Sequence, residues 1–301
     1  MKRRKRRLWI ALLLIVVLVT AMGVYVMDYY RASDVAMAAL EGSDGLRVKS
    51  VDGTICVETT GSTDAMVFYP GGKIQAEAYM PLLRRIARRG IDCYLVKMPF
   101  NLALFGVGRV ADVMRDHPHR RWVLAGHSLG GVMASQWAAA HPGELVGLAL
   151  LAAYPSQKLP DDLRVILLYG SEDGVLNRRD LEKGLELLPP NALVEQLPGG
   201  NHAYFGSYGE QKGDGTATIS PEAQWDWTAE QIGRLVNSDL SRAIARLKGD
   251  RSPFNTSSSD LPEIACDFRA ANLQGSFFHS GRQAPCREKS PARGVHTAAY
   301  D

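Results

Sequence analysis

Cysteine is scarce in this chain of 301 residues, which contains four. None of the four lies in a Cys-x-x-Cys pair, so the sequence excludes a zinc ribbon, a thioredoxin-type redox motif and a disulfide framework. The apolar fraction of 46% excludes a chain that is disordered throughout. A chain of this length can bury a hydrophobic core without disulfide or metal staples.

Outside the first seven residues, the chain has no excess of basic over acidic side chains. Residues 2–7 are all Lys or Arg, whereas residues 8–247 carry 22 basic and 26 acidic side chains. Because this body is mildly acidic, the sequence pI of 8.6 does not indicate a nucleic acid partner.

Charge is absent altogether from Leu8 to Met27, a run of 20 residues. As a helix this run is about 30 Å long, the thickness of a bilayer core. The basic cluster before it predicts a cytoplasmic N-terminus, with the rest of the chain outside the cytoplasm. We interpret residues 1–27 as a basic segment and a transmembrane signal-anchor of a single-pass cell-membrane protein. A cleaved signal peptide and a secreted product stay open, because Val19-Thr20-Ala21 offers small residues after a shorter apolar core.

By composition, the remaining chain divides into a predicted stalk (28–45), a domain (46–247) and a tail (248–301). The tail is rich in serine and interrupted by prolines, so we predict that it is disordered. Within the domain, strand-like and helix-like segments alternate. Strands are predicted at 46–51, 54–58, 65–69, 91–96, 122–125, 146–152, 164–169 and 193–197; helices are predicted at 76–89, 107–116, 129–140, 179–188 and 221–247. This alternation predicts an α/β fold with a mostly parallel sheet, helices on both faces and an antiparallel N-terminal hairpin around Asp52-Gly53.

Several conspicuous side chains indicate no site of their own. Cys56 and Cys93 fall on predicted strands and are expected in the core, while a Cys266–Cys286 disulfide in the tail is an open alternative. His117-x-His119 has no third ligand at useful spacing, so we expect a solvated loop rather than a metal site. We also expect a solvated helix face for the basic group Arg84, Arg85, Arg88 and Arg89, with contact to anionic lipid headgroups as the open alternative.

The segment Gly126-His127-Ser128-Leu129-Gly130 matches the pattern G-x-S-x-G. It lies between a predicted strand and a predicted helix, which is the setting of a nucleophile elbow. Such a turn exposes the serine hydroxyl at the carboxyl end of the strand and directs a helix N-terminus at the site. Ser128 is therefore the candidate nucleophile.

Over residues 46–247 the sequence resembles the α/β-hydrolase superfamily. Within that superfamily it is similar to a small membrane-anchored branch with a Tyr-Pro-Gly-Gly oxyanion segment. The residues that carry the resemblance are Tyr69-Pro70-Gly71-Gly72-Lys73, residues 97–103 (KMPFNLA), residues 126–131 (GHSLGG), residues 169–174 (YGSEDG) and residues 199–203 (GGNHA). The resemblance implies the α/β-hydrolase fold and a serine hydrolase.

The superfamily order of nucleophile, acid and base implies roles for two further residues. Asp173 follows the predicted strand 164–169 and would be the acid, with Glu172 as its rival. His202 follows the predicted strand 193–197 and would be the base; no other histidine lies between His141 and His279. A hydroxyl is a weak nucleophile near neutral pH, so it needs such a base and an orienting acid.

The resemblance also implies an oxyanion hole of two backbone N–H groups. One is expected from Leu129, the residue after the nucleophile, and the other from Gly72, with Lys73 as the alternate. Pro70 has no N–H and cannot serve. About a dozen residues separate the predicted strands 146–152 and 164–169, so no cap domain fits there and we expect an open site.

These features together favour a hydrolase that cleaves a small-molecule carboxylic ester through an acyl-enzyme, with a thioester or lactone as alternative substrates. The chemistry requires no metal and no cofactor. Two other functions stay open: an inactive, membrane-tethered binding protein on a hydrolase fold, and an acyltransferase to an envelope acceptor. The sequence does not specify the oligomeric state.

Overall fold

The computed structural model describes residues 2–41 and 44–247; the predicted tail and its Cys266–Cys286 alternative lie outside the described residues. The helices are α1 (Lys2–Met27), α2 (Asp34–Ala38), α3 (Met80–Ala87), α4 (Arg109–Asp116), α5 (Leu129–Ala140), α6 (Arg178–Leu185) and α7 (Pro221–Leu247). The strands are β1 (Arg47–Val51), β2 (Thr54–Glu58), β3 (Asp64–Tyr69), β4 (Ile91–Val96), β5 (Arg121–His127), β6 (Gly147–Leu151), β7 (Arg164–Gly170) and β8 (Leu193–Leu197).

The eight strands form one sheet in the order β1-β2-β4-β3-β5-β6-β7-β8. Strand β2 pairs antiparallel with β1 and with β4, and the other pairings of this sheet are parallel. Asp52 and Gly53 both have positive φ (47° and 75°), as the tight hairpin turn between β1 and β2 requires. The predicted mostly parallel sheet with an antiparallel N-terminal hairpin is thus confirmed.

Helices cover both faces of the sheet, because the parallel strands are apolar on both sides. One face packs against α3 and α7, which contribute Leu83 and Trp225 to its core. The other packs against α4, α5 and α6, with Val110 and Trp137 among its buried residues. Both cysteines that fall on strands, Cys56 and Cys93, are buried as expected.

The helix predicted at 76–89 is shorter than expected. It opens as a 3₁₀ turn (Ala76–Tyr79), and α3 begins only at Met80, with Pro81 in its first turn. Proline has no N–H and suits a helix start, so it fixes this boundary. The helix predicted at 107–116 begins at Arg109, after Gly108, since glycine disfavours a helix interior.

The prediction of a solvated basic face on α3 is wrong for Arg84, which is 6% exposed. Its guanidinium donates to the carbonyl of Ala39 (3.1 Å) and pairs with Asp44. Arg88 also pairs with Asp44 (2.6 Å), and Arg85 pairs with Asp226 (2.6 Å). The periodic pattern of α3 could not reveal that a segment far away in sequence covers this face.

The prediction of a solvated loop is also wrong for His119. Its ring lies edge-on to Trp122, with centroids 5.1 Å apart, and Nε2 is 2.8 Å from the hydroxyl of Tyr94. His117 packs on the same tyrosine. These histidines therefore contribute to the packing around Tyr94.

Helix α1 is the one helix in the described part of the chain that is long and apolar enough to cross a membrane. None of its apolar stretch is buried against the protein. The residues that follow α1 lie against the domain: Tyr30 forms a parallel bridge with Ile74, and the Ser33 N–H donates to the carbonyl of Ser207 (2.8 Å).

The connection between β6 and β7, residues 152–163, contains no helix or strand. The loops at the carboxyl ends of β3, β5, β7 and β8 all reach one edge of the sheet, as parallel strands require. The candidate residues Gly72, Ser128, Asp173 and His202 follow those four strands.

Candidate active site

Ser128 occupies a sharp turn between β5 and α5. Its backbone φ is 51° and ψ is −126°. Residues other than glycine rarely adopt this conformation, which costs on the order of 1–3 kcal/mol of backbone strain. The Ser128 N–H donates to the carbonyl of Leu151 (2.9 Å), which holds the turn beside the end of β6. The structure therefore presents Ser128 as the sequence pattern predicts, at the carboxyl edge of the sheet.

The glycines around Ser128 allow backbone segments to approach closely. A Cβ at Gly130 would overlap the carbonyl oxygens of Tyr69 and Pro70, which lie in backbone that cannot easily move. A Cβ at Gly126 would come 2.6 Å from the Gly130 carbonyl oxygen. The elbow thus lies directly against the loop that follows β3.

His202 and Asp173 form a buried pair at the ends of β8 and β7. His202 Nδ1 is 2.9 Å from Asp173 Oδ2, and the two side chains are 2% and 0% exposed. The other carboxylate oxygen of Asp173 accepts the N–H groups of Val175 (2.9 Å) and Leu176 (2.8 Å). The rival acid Glu172 is exposed and accepts from the Ser171 hydroxyl instead.

Ser128 and His202 line the same cleft, which has a volume of about 230 Å³. His202 Nε2 is buried and has no hydrogen-bond partner among the described residues. No hydrogen bond joins it to the Ser128 hydroxyl in this structure. Catalytic hydrogen bonds are often long before substrate binds, so this geometry is compatible with a nucleophile and its base.

The loop after β3 brings the candidate oxyanion donors to the elbow. A Cβ at Gly72 would lie 2.9 Å from the Leu129 side chain, so the two residues are in contact. In the described structure, neither the Gly72 N–H nor the Leu129 N–H has an acceptor. The alternate donor, Lys73, already donates its N–H to the carbonyl of Asn101 (2.8 Å). The geometry therefore favours Gly72 over Lys73.

Two buried residues that sequence reasoning missed connect that loop to the elbow. The Tyr79 hydroxyl accepts the Gly71 N–H (2.9 Å) and lies 2.7 Å from His127 Nδ1. Burial raises the pKa of Tyr79, so the phenol stays protonated, and the tautomer of His127 decides which of the two groups donates. The only signal in the sequence was the position of His127 next to the nucleophile.

His127 also packs against the candidate base. The rings of His127 and His202 have centroids 4.5 Å apart. Complete burial, and next the neighbouring His202 charge, hold the pKa of His127 well below its usual range. A neutral His127 places no second positive charge beside an imidazolium on His202.

Asp214 is a third residue that sequence reasoning missed, and it lies in the glycine-rich segment 206–216. Its Oδ1 accepts N–H groups of Gly174 (3.1 Å) and His202 (3.2 Å), and its Oδ2 accepts that of Ala203 (2.8 Å). One carboxylate thus joins the loop of the acid to the loop of the base. Nothing local in the sequence distinguishes Asp214 from an ordinary turn residue.

No group of three or more His, Cys, Asp or Glu side chains within residues 2–41 and 44–247 is arranged to hold a metal ion. The polar side chains that line the cleft are those of Ser128, Tyr154, Asn177 and His202.

The lowered pKa of His127 predicts how stability depends on pH. Below about pH 6.5 the unfolded chain protonates His127 while the folded protein does not. The free energy of unfolding should therefore fall as pH falls from about 6.5, by up to about 1.4 kcal/mol per unit from this group. His127→Asn keeps a hydrogen-bonding side chain beside Tyr79 but removes the titration of the imidazole.

Urea unfolding of both proteins in detergent, from about pH 5 to about pH 7.5, measures this slope. The variant should show a shallower slope, with a remainder from His119, whose pKa is also lowered by burial. Equal slopes in the two proteins would contradict the assignment.

Replacement of Asp214 should destabilise both loops at once. Asp214→Ala leaves the N–H groups that it binds without their charged acceptor, at a cost of roughly 2–4 kcal/mol. We expect a lower thermal midpoint and faster amide exchange at Gly174, His202 and Ala203. Glu210→Ala, an exposed carboxylate in the same segment, is the matched control and should change neither. If both variants behave alike, Asp214 does not hold the loops.

Known proteins resemble this chain in sequence and in structure. Residues 65–226, more than half of the chain, match the model of the Alpha/beta hydrolase family. A dienelactone hydrolase structure from Anabaena variabilis shares 16% identity and a TM-score of 0.48, covering 62% of this chain and 96% of that one.

Two sequence relatives are more similar over shorter stretches. A Mycobacterium phage D29 protein assigned by name to the non-heme haloperoxidases is 29% identical over 41% of this chain and 45% of its own length. A pimeloyl-[acyl-carrier protein] methyl ester esterase of Chromobacterium violaceum is 32% identical over 33% of this chain and 41% of its own. The chain thus spans less than half the length of either relative. The family match and the sheet topology together show that this chain belongs to the alpha/beta hydrolase family.

Proposed function

We propose that the protein is a serine hydrolase that cleaves a carboxylic ester by a Ser128–His202–Asp173 triad. One observation carries the proposal: His202 is held through Nδ1 by Asp173, its buried Nε2 has no hydrogen-bond partner among the described residues, and the residue lines the same cleft as Ser128. A histidine in this state is oriented, desolvated and able to accept a proton. These are the properties of the general base in a triad.

In the proposed reaction, His202 Nε2 takes the proton of the Ser128 hydroxyl as its oxygen attacks the acyl carbonyl. The Asp173 carboxylate accepts a hydrogen bond from His202 Nδ1–H. This bond fixes the tautomer of His202 and stabilises its imidazolium form. The N–H groups of Gly72 and Leu129 stabilise the oxyanion, and the N-terminus of α5 adds its positive dipole. His202 then protonates the leaving alcohol, and water, activated by the same histidine, hydrolyses the acyl-enzyme.

The cleft supports an ester as the substrate class. Its lining beyond the triad includes the side chains of Val132, Ala153, Tyr154 and Leu176, which are apolar or aromatic and suit a short acyl or alcohol group. The connection after β6 supplies no cap over it. The similarity to a protein named as a methyl ester esterase also favours carboxylic esters; a thioester or a lactone would use the same groups.

We further propose that the enzyme is anchored by α1 as a single-pass membrane protein, with the 46–247 domain outside the cytoplasm. Six basic residues before an apolar helix that is not buried against the domain support this topology. A cleaved signal peptide would give the same compartment without the anchor. The Tyr69–Lys73 segment supports placement in the small membrane-anchored branch of the family.

Turnover of p-nitrophenyl acetate tests the triad. Ser128→Ala should lower kcat/KM by a factor on the order of 10³ or more, because the nucleophile is lost while the oxyanion donors remain. Ser135→Ala removes a buried hydroxyl from the same helix and is the matched control. It should keep wild-type turnover.

A folded wild type without turnover would instead favour the inactive, membrane-tethered binding protein. An acyltransferase would appear as transfer to an added alcohol in excess of free acid. Equal turnover by wild type and Ser128→Ala would refute the triad.

A further inference from the structure

The connection between β4 and α4 contacts the loop after β3 and exposes three large apolar side chains. Phe100, Leu104 and Phe105 are 58%, 60% and 56% exposed. The two aromatic rings meet edge to face, with centroids 5.7 Å apart. In the same connection Met98 and Ala103 are buried and anchor it to the core. We call residues 98–106 the apolar loop.

The backbone of the apolar loop is strained where it presents these side chains. Phe100 and Asn101 have φ of 56° and 54°, in the left-handed region that non-glycine residues disfavour. Hydrogen bonds hold them there: the Asn101 N–H donates to the carbonyl of Met98 (3.0 Å), and the Asn101 carbonyl accepts from the Lys73 N–H (2.8 Å). The turn is therefore conformationally strained, and it leaves the side chain of Phe100 exposed to water.

Lys73 connects the apolar loop to the end of the apolar helix α1. Its carbonyl accepts the N–H of Tyr30 (2.8 Å), only three residues after Met27, the last residue of α1. Its ammonium group bonds to Asp28 (2.7 Å) and lies 4.5 Å from the ring centroid of Tyr25. One residue therefore joins the exit of α1, the apolar loop and, through its neighbour Gly72, the candidate oxyanion hole.

We infer that the apolar loop docks into the lipid interface beside α1, so that the cleft takes acyl esters of amphiphiles from the membrane. This rests on the proposed function and on α1 as the membrane span. A bilayer is the favoured occupant because the structure fixes the exit of α1 to the turn that carries the apolar loop. Transfer of exposed Phe and Leu side chains from water to the boundary between lipid headgroups and acyl chains is favourable in free energy.

Nitroxide accessibility in vesicles tests the docking directly. The full-length chain with Cys266→Ser and Cys286→Ser is reconstituted in phosphatidylcholine vesicles and labelled at Phe105→Cys; Cys56 and Cys93 are buried. Leu193→Cys is the matched control, because Leu193 is 45% exposed. It lies at the start of β8, among the amino ends of the parallel strands and thus away from the carboxyl ends that carry the site.

The inference predicts that the Phe105 label is reached by oxygen and protected from a water-soluble nickel complex, whereas the Leu193 label is reached by the nickel complex. A Phe105 label as accessible to nickel as that at Leu193 would overturn it. Protection from both reagents would also overturn it, because protein, either a second copy or residues 248–301, would then cover the loop.

Turnover separates this inference from the proposed function. The triple variant Phe100→Ser, Leu104→Ser and Phe105→Ser should keep turnover of soluble p-nitrophenyl acetate within about twofold of wild type. It should lose about tenfold or more with p-nitrophenyl palmitate held in vesicles, since it no longer binds the interface. The control triple variant, Leu185→Ser, Leu193→Ser and Val194→Ser, should keep both activities.

A wild type that hydrolyses neither ester would refute the proposed function, whatever the labels report. If the wild type hydrolyses p-nitrophenyl acetate, the triple apolar-loop variant tests the docking alone. Equal loss of both activities in this variant, or loss of neither, would refute the docking.

Discussion

The close approach of the loop after β3 to the nucleophile elbow is the constraint on which the rest of the site depends. Gly130 has no side chain to keep the carbonyls of Tyr69 and Pro70 away. The Tyr79 hydroxyl then joins Gly71 to His127 across the same contact. As a result the two candidate oxyanion donors lie in backbone segments that contact each other directly and share a hydrogen-bonded tyrosine. Donors fixed in advance need no reorganisation when charge develops, and this makes them effective.

The acid and the base depend on a second junction, at the ends of β7 and β8. A Cβ at Gly170 would overlap the carbonyl of Gly200, so these strand ends also touch through backbone. Asp214 reinforces the junction by accepting N–H groups from both loops. The buried His202–Asp173 pair lies between the two strand ends, where little water can compete for its hydrogen bond.

The N-terminal residues add a third junction, because Tyr30 pairs beside Lys73 and Ile74 rather than standing free of the domain. The geometry of the site and the exit of α1 are consequently linked through the loop after β3. If α1 spans a membrane, the cleft is held near its surface by three residues of chain. A substrate that diffuses in the leaflet would then need to travel only a short distance to Ser128.

Local signals made most of the fold predictable. Apolar runs bounded by glycine, such as that before Gly126, identify strands, and a longer Ala-rich apolar run after Ser128 identifies a helix. The strand–turn–helix pattern led to Ser128, whereas the resemblance to the superfamily implied Asp173 and His202. The structure brings all three to one edge of the sheet. Their roles in catalysis remain predictions.

What the sequence could not show depends on contacts between distant segments. Asp214, Tyr79 and His127 act through partners far along the chain or in another element, and no periodicity marks such partners. Arg84 was mispredicted for the same reason: the helical pattern shows its face but not the segment that covers it. The turn at Phe100 has positive φ without glycine, so no composition signal announces it.

The most direct test of the account is the site of covalent labelling by a fluorophosphonate. The folded protein is reacted, digested and mapped by fragmentation mass spectrometry, with a heat-denatured sample beside it. The account predicts a single phosphonyl adduct on Ser128 in the folded sample and none in the denatured one, because activation requires His202 and the oxyanion donors in place. A folded protein without an adduct, or with its adduct on another residue, would contradict it.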